Sequence, residues 1–497
     1  MASTSAPEHD PLGEDLHVDV AVIGGGIAGI SIAAELNRSG RSVALLEADR
    51  IAAGVTGHTT AKVSALHGAI YHSLSSRLGP DVATAYATSQ TLAMDHVAAV
   101  ADRLGLDCDL ETRPAFVFSE SQAEVEVLRS EAEAARQAGL PASFTVDTGL
   151  PFPVAGAVRV EDQLMFHPRK YLLGVAADLV ASGGRIFERT RVTGLEEGEP
   201  CTLTCERGPR VTADDVVVAT HYPIFDRSLM FARLSPRREF AVAGVTSPEH
   251  DPPGMYINVG PDTRSVRSAP YDGQRLLIAT GAPFTPGDSS AQQQADDLTT
   301  WLRDRFPVED IRYIWAAQDN HTGDQVPFIG RLHPLATHAW VATGFGGWGM
   351  TNGVLAGLLL TNLICGHEPP WAPIYDPRRV HPRLEARTVA GAAARTTSNW
   401  AGSRLRAALR SADSVADITP GQTGLISDEH GTWATHVDDT GEVHAVSATC
   451  THMGCLVAFN DVESEWECPC HGSRFGLDGQ VLQGPATAAL RQRPDDL

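Results

Sequence analysis

The chain is short of positive charge. Its 497 residues carry 39 Lys and Arg against 61 Asp and Glu, a formal net charge of −22. Such a surface repels the phosphate backbone, so nucleic acid is excluded as a partner. Long apolar runs are also missing. The longest, near Val354–Cys365, is broken by Thr361 and Asn362 and is too short for a membrane span. The opening MASTSAPEHDPLGEDLH has neither a basic head nor an apolar core, which excludes a signal or transit peptide. A flexible N-terminus over residues 1–16 and a soluble, cytoplasmic protein are expected. Cysteine is scarce except at one place. Of eight, Cys108, Cys201, Cys205 and Cys365 are scattered and read as reduced thiols, whereas four crowd into Cys450–Cys470. A chain of this length has room for two or three domains with their own cores.

What is present begins at Val18. An apolar strand, Val18–Ile23, runs into Gly24-x-Gly26-x-x-Gly29. A helix follows to about Ser39, Gly40 stops it, and a second strand, Ser42–Leu46, ends at Glu47. In such a βαβ unit the first glycine makes the turn. The second lets a pyrophosphate approach the backbone, and the third lets helix and strand pack closely. The helix N-terminus, at Ile27 and Ala28, carries free N–H groups and partial positive charge that suit a diphosphate. Glu47 is placed to accept a ribose hydroxyl. The unit predicts a bound dinucleotide.

The following loop, Gly54–Gly68, is rich in glycine and threonine and can wrap a polar cofactor. A GxGxxG unit, then an acid, then a G-x-[ST]-G loop resembles the D-amino-acid oxidase/glycine oxidase superfamily of flavoproteins. The resemblance implies FAD, held at Gly24, Gly26, Ile27, Ala28, Gly29 and Glu47, and passed by Thr56, His58, Thr60 and Lys62. In some amine dehydrogenases of that superfamily a histidine near the position of His58 is bonded to the flavin. A non-covalent neighbour is the blander expectation here. Lys62 is a candidate for oxygen reactivity or for holding the diphosphate.

Residues 70–150 read mostly as helices, such as Asp81–Leu104 and Ser121–Ala138. A helix at Leu172–Ser182 and a strand at Arg185–Gly194 lead back to the dinucleotide domain, where the resemblance places Val192 by the adenine. The buried strand Asp215–Thr220 ends in a turn at Thr220, read as a second cofactor contact. Alternating runs between 225 and 320 predict an antiparallel substrate sheet. Tyr256, Arg264, Arg267 and His321 are its polar candidates, an arginine being suited to clamp a carboxylate in bidentate fashion. Surface pairs and core-edge tyrosines are the plainer alternative.

A second literal GxGxxG stands at Gly344–Gly349, between strand Ala339–Thr343 and helix Thr351–Ile364. No strand ending in an acid follows, so a nicotinamide domain is rejected. The resemblance instead makes Gly344, Gly347, Trp348, Met350 and Thr351 the C-terminal flavin segment, its helix N-terminus facing the flavin N1/C2=O locus. The oxidoreductase domain is thus expected over 17–378, with the substrate part near 225–320. Arg378–Arg410 then holds eight arginines and one acid, Glu385. A basic linker helix over 379–412, capped by Ser398, is expected to dock on the acidic body. Contact with an anionic membrane surface or an acidic electron-transfer partner is the other possibility.

Residues 413–497 read as a small β-rich module. In it Cys450-x-His452 is followed, after fifteen residues, by Cys468-x-x-His471. Two thiolates and two imidazoles on paired loops suit zinc or a [2Fe–2S] cluster. CTHMGC and CPCHGS, each with an extra cysteine, resemble the two Rieske boxes. The resemblance implies Cys450 and Cys468 on one iron and His452 and His471 on the other. It also implies a disulfide between Cys455 and Cys470, and a covering proline loop at Gly484–Ala486. Ser473 can donate a hydrogen bond to a cluster sulfur. Phe475 stands where high-potential members carry tyrosine, so a potential below the respiratory type is expected, within roughly −150 to +300 mV.

The fold expected is an α/β Rossmann-type FAD domain with an antiparallel β substrate domain, plus a small all-β Rieske domain. The favoured function is oxidation of a small amine or amino acid by hydride transfer to FAD, with electrons leaving through the cluster to an unidentified acceptor. Two alternatives reverse or remove that chemistry: a flavin monooxygenase whose electrons enter at the cluster, or a non-catalytic electron-transfer protein. A ring hydroxylase is excluded because only 26 residues follow His471, none a histidine, leaving no mononuclear iron site.

Overall fold

The computed structural model describes residues 4–494 apart from 226, 261, 282, 288–290, 387, 392–410 and 413. Strand Leu16–Ile23 lies at the centre of a parallel sheet, between Arg210–Val218 and Val43–Leu46. Its Val-x-Val-Ala-Val-Ile run is apolar at consecutive positions because both faces are covered. Ala339–Thr343 and Arg185–Phe187 extend the sheet on either side in parallel. Helix Ile27–Arg38 covers one face, and helix Gly349–Ile364 lies against it. Two glycines one turn apart permit that approach. A Cβ on Gly353 would stand 2.7 Å from Ile27 Cγ2, and one on Gly357 would stand 3.0 Å from the Ser31 backbone. Ile30, Ile32 and Leu36 are wholly buried there, each contributing about 1.5–3 kcal/mol.

The second sheet has nine strands and draws on far more than residues 225–320. Its order runs Asp310–Thr322, Leu234–Thr246, Gln274–Thr280, Ser265–Tyr271, Met255–Asn258, Glu111–Ser119, Gly156–Met165, Lys62–Val63, with Ala142–Thr145 beside Gly156–Met165. One pair, Met255–Asn258 with Glu111–Ser119, is parallel. The helical expectation for 70–150 holds for Tyr71–Leu78, Pro80–Leu104 and Val125–Gln137 but missed Glu111–Ser119. That strand is five buried residues preceded by charged ones, a short apolar run without helical or strand periodicity of its own.

Three further expectations are corrected. Arg185–Gly194 is two strands, Arg185–Phe187 and Val192–Glu196. Between them Arg189 takes a left-handed φ of 50°, and the carboxylate of wholly buried Glu188 accepts the Ile51 N–H at 2.8 Å. The N-terminal segment from residue 4 is tied down rather than flexible. Leu12 is buried, and the N–H groups of His9 and Leu12 donate to Glu188 and Thr190. The helix expected from Ser398 to Arg410 lies outside the described residues. Ser411–Ala412, given to the linker, forms a strand beside Thr423–Asp428. Two arginines of the basic stretch are neutralised on the body, Arg378 by Asp376 at 2.6 Å and Arg379 by Asp324 at 2.7 Å. Glu385 is buried and pairs with Arg233 at 3.0 Å.

The C-terminal module holds two four-stranded sheets. Buried Trp466 and Phe475 pack around the cysteine-bearing loops. Among the described residues no helix is long and apolar enough to cross a membrane.

Candidate active site and cluster loops

The glycine turn is built around close contacts. Gly24 has φ +103°, and a Cβ there would lie 2.5 Å from the Ala219 carbonyl oxygen. A Cβ on Gly29 would lie 1.8 Å from the Gly24 carbonyl oxygen. Gly26 caps the helix and has no side chain to offer, while the Ile27 N–H donates to Thr56 Oγ1 at 3.0 Å. Of the helix-terminal N–H groups expected to be free for a diphosphate, that of Ile27 is thus engaged by Thr56. Glu47 Oε2 accepts the Gly25 N–H at 2.6 Å, and Oε1 accepts the Asp49 N–H at 2.9 Å. Burial raises its pKa against both bonds.

Several loop residues differ from expectation in detail. His58 is exposed, and its Nδ1 lies 2.9 Å from the Gly54 carbonyl oxygen. Its own carbonyl accepts the Trp315 indole N–H at 2.7 Å. Thr60 is half-buried, and Val192 is buried at the start of its hairpin. Thr220 spends its hydroxyl on the Tyr222 carbonyl at 2.8 Å. Thr351 is fully buried, and its hydroxyl both donates to Ser64 O and accepts from Ser64 N at 3.0 Å. It pins the C-terminal helix to the residue that follows strand Lys62–Val63. Gly344 and Gly347 take φ of 75° and 86°, turning the chain before Trp348 and buried Met350.

The register of the large sheet decides which side chains meet. Ser265, Thr280 and Ala241 stand opposite one another, as do Glu239 and Ala317. Side chains alternate along a strand, so Arg267, Glu239, Asp319 and His321 share one face. The other face carries Phe240, Val242, Val266, Leu277 and Ala279 beneath helix Ala291–Arg305. Tyr256 stands opposite Val266 and so belongs to that second face. It stacks on Phe116 at 5.0 Å, and its hydroxyl donates to Thr148 O, which removes it from the substrate candidates. Arg264 closes a local turn with Asn258 and Thr263.

The shared face is strongly polar. Burial lowers the Lys62 pKa to about 7, with Glu239 opposing and Arg267 reinforcing. Burial raises the Glu239 pKa to about 7, opposed by Lys62. Arg267 is 2% exposed, and burial takes its pKa down to about 10. One of its Nη atoms donates to Ser268 O at 3.1 Å, while Nε has no partner. Lys62 Nζ sits 5.7 Å from the Trp348 ring, whose other neighbour is His67, stacked at 4.5 Å. Burial drops the His67 pKa to about 3, so this imidazole is neutral beside Tyr86 OH at 2.7 Å. Asp319 reaches the second glycine-rich turn, accepting the Gly347 N–H at 2.6 Å and facing His221 Nε2 at 3.3 Å. Burial opposes its ionisation, but His221 and His321 hold its pKa below the ordinary value. Burial lowers the pKa of His321, against the pull of Asp319. Sequence reasoning missed Glu239, Asp319 and His67. The signal for the first was three consecutive charges, Arg237, Arg238 and Glu239, just before the apolar half of the strand.

The two cysteine loops are near copies. Each closes on itself, Gly454 N–H to Cys450 O at 3.0 Å and Gly472 N–H to Cys468 O at 2.9 Å, and both glycines have positive φ. Cys455 and Cys470 form the disulfide, with Cα atoms 6.6 Å apart. Cys450 and Cys468 remain free and share a hydrogen bond that lowers the Cys450 pKa to about 7 and raises that of Cys468. His452 Nδ1 is buried without a partner, and the two imidazoles stand edge-on at 5.0 Å. Two thiols and a pair of imidazoles, one with an orphaned ring nitrogen, fit a cluster bound by two sulfurs and two nitrogens. Ser473 is fully buried and accepts the Ala486 N–H at 3.0 Å, so the proline loop is tied to the second box.

Comparison with known proteins agrees with both halves. The model of the FAD dependent oxidoreductase family (DAO) matches residues 19–363, and that of the Rieske [2Fe-2S] domain matches residues 411–494. The chain is 32% identical over 493 residues to a putative Rieske 2Fe-2S iron-sulfur protein, YhfW, of Bacillus subtilis, covering 99% of this chain and 96% of that one. It is 24% identical over 372 residues to gamma-glutamylputrescine oxidoreductase of Escherichia coli, covering 72% of this chain and 86% of that one. Glycine oxidase from Geobacillus kaustophilus shares the fold, with a TM-score of 0.61 and 22% identity over 74% of this chain and all of that one. With a cradle that fits a dinucleotide and loops that fit a cluster, the chain belongs to the FAD dependent oxidoreductase family and carries a C-terminal Rieske [2Fe-2S] domain.

Proposed function

We propose that the chain dehydrogenates a small amine or amino acid at the carbon next to nitrogen and delivers the electrons to an external acceptor by way of its own Rieske domain. The observation that carries this is the polar sheet face that holds Arg267 and Glu239, with Lys62 coupled electrostatically to both and its Nζ 5.7 Å from the Trp348 ring. Bound FAD supplies hydride acceptance, and the cluster supplies one-electron chemistry.

The residues supply the rest. Arg267 offers a buried guanidinium with an unpartnered Nε, suited to a substrate carboxylate. Glu239 offers an acceptor to an ammonium group. An amine donates hydride only with its nitrogen lone pair free, so a proton has to leave first. Lys62 Nζ, with a pKa of about 7, takes that proton near neutral pH, and Glu239 beside it stabilises the ammonium so formed. Trp348, backed by His67, walls the site with aromatic surface and excludes water.

The test is anaerobic stopped-flow mixing of the holoprotein with a panel of amines and amino acids, following flavin absorbance and the cluster EPR signal together. One compound should bleach the flavin and then bring up the cluster signal. A protein that no compound bleaches, but whose cluster fills before its flavin with an external reductant, takes electrons in at the Rieske domain and is not a substrate dehydrogenase.

A further inference from the structure

The polar sheet face has a back, and the Rieske domain sits on it at the edge formed by Leu234–Thr246 and Asp310–Thr322. Arg238, next to Glu239, points to that back. Its side chain is wholly buried and ion-pairs with Glu463, Glu465 and Glu467 of the Rieske domain, reaching Glu465 at 2.9 Å. Arg474 also pairs with Glu465, so the Rieske domain alone gathers three carboxylates against one cation. Arg238 supplies a second cation to the three carboxylates. Backbone groups complete the seat: Gly287 N–H donates to Glu467 at 2.5 Å and Ala316 N–H to Glu463 at 3.3 Å. Arg238 is itself fixed by a two-way backbone exchange with Phe284 at 2.8 and 2.7 Å.

The same alternation brings Gln318 to the second cysteine loop. Its amide donates to Gly472 O at 3.1 Å, and any Cβ on Gly472 would strike it at 2.4 Å. Next to this contact His471 is 1% exposed, with Tyr222 and Phe231 edge-on at 6.2 and 6.0 Å. His221, adjacent to Tyr222, lies 3.2 Å from Gln483 and 3.3 Å from Asp319, the residue that holds the Gly347 N–H of the flavin segment. His452 differs: it is partly exposed, beside Met453 at 42%.

We infer that Arg238 is a positioning residue that locks the Rieske domain in one fixed seat on the flavin domain, with the His471 side of the cluster loops inward and the His452 side outward. The inference rests on the reading that the two centres of one chain exchange electrons. Each substrate turnover yields two electrons. A one-electron cluster held by the two loops would pass them singly to an external one-electron acceptor. A lock makes that exchange independent of domain swing.

The test needs no substrate. Holoprotein is photoreduced through deazaflavin, and redistribution between flavin and cluster is timed by absorbance and EPR. Amide exchange at Gly287 and Ala316 is measured alongside. In Arg238→Met, exchange at these amides should rise at least about 100-fold, the consequence of breaking a buried ion pair. Redistribution should slow by about 10-fold or more through lost positioning. The cluster midpoint and EPR line shape should stay as in the wild type, and Arg238→Lys should recover part of the rate. Should Arg238→Met fail to fold around its three glutamates, Gln318→Glu loosens the second contact and should slow redistribution likewise. A folded Arg238→Met with unchanged exchange, or with raised exchange and unchanged redistribution, overturns the inference. Normal redistribution in a wild type that no amine bleaches leaves the lock standing and removes only the substrate reading.

Discussion

Replacing Ser473 by alanine should lower the midpoint potential of the cluster. Ser473 is fully buried, and its oxygen is already the acceptor for the Ala486 N–H at 3.0 Å. Its hydrogen is therefore free to be given, and it is given to the Cys450 sulfur. A donor facing sulfur stabilises the reduced cluster more than the oxidised one, because the added electron raises the charge on the sulfurs. A hydrogen bond to a charged group contributes about 1.5–3 kcal/mol. If about half of that distinguishes the two redox states, the loss is near 1 kcal/mol. With a tenfold change in equilibrium equal to about 59 mV for one electron, the midpoint should fall by roughly 30–65 mV. The converse change is Phe475→Tyr, in a side chain that is wholly buried in the cysteine-bearing core. A hydroxyl there restores the second donor and should raise the midpoint by a similar amount. The assay is an EPR-monitored redox titration of each holoprotein. An unshifted or raised midpoint in Ser473→Ala, with the line shape of an intact cluster, refutes the argument that this hydroxyl tunes the potential.

Other outcomes follow from the same geometry. Gly29→Ala puts a methyl group 1.8 Å from the Gly24 carbonyl oxygen, so the purified protein should carry little FAD, read from its flavin-to-protein absorbance ratio. The rate of anaerobic flavin reduction by a substrate should change near pH 7, where Lys62 and Glu239 both titrate. Glu239 raises the Lys62 pKa, so Glu239→Gln should move that limb to lower pH, and Lys62→Met should abolish it. Glu131 is wholly buried, and burial raises its pKa to about 7 although it accepts the N–H groups of Tyr71 and His72. A raised carboxyl contributes stability that is complete below its unfolded pKa and lost as pH rises through the folded value. About 3 kcal/mol should therefore disappear between pH 4.5 and 7, and Glu131→Gln should flatten that slope in denaturation midpoints taken across the range.

Legibility followed locality. The glycine turn, its helix and both cysteine loops are set by residues a few positions apart, and the structure keeps them where the spacing put them. The nine-stranded sheet is different. Lys62–Val63 is two residues long, and Glu111–Ser119 is joined in parallel to a strand nearly 140 positions later, so neither has a local signature. Candidate side chains on this sheet sorted by register, which no single segment specifies. Tyr256 and Arg267 looked equivalent in sequence, yet cross-strand pairing sends one to the apolar face and the other to the polar one. The N-terminal segment misled for another reason. Its polar composition describes what it exposes, whereas its place is fixed by two backbone N–H groups that find Glu188 and Thr190.

The same register explains why a flavin site and a cluster domain can share one wall. Strand Leu234–Thr246 alternates Arg238 and Glu239, and strand Asp310–Thr322 alternates Gln318 and Asp319. At each pair the odd residue faces the flavin elements and the even one faces the Rieske domain. A one-residue slip of the first strand would put a guanidinium on the polar face beside Lys62 and a carboxylate among three glutamates. Pairing register along Leu234–Thr246 is thus a condition for both centres at once. Within the run Arg237-Arg238-Glu239, the last two charges assign one face to each.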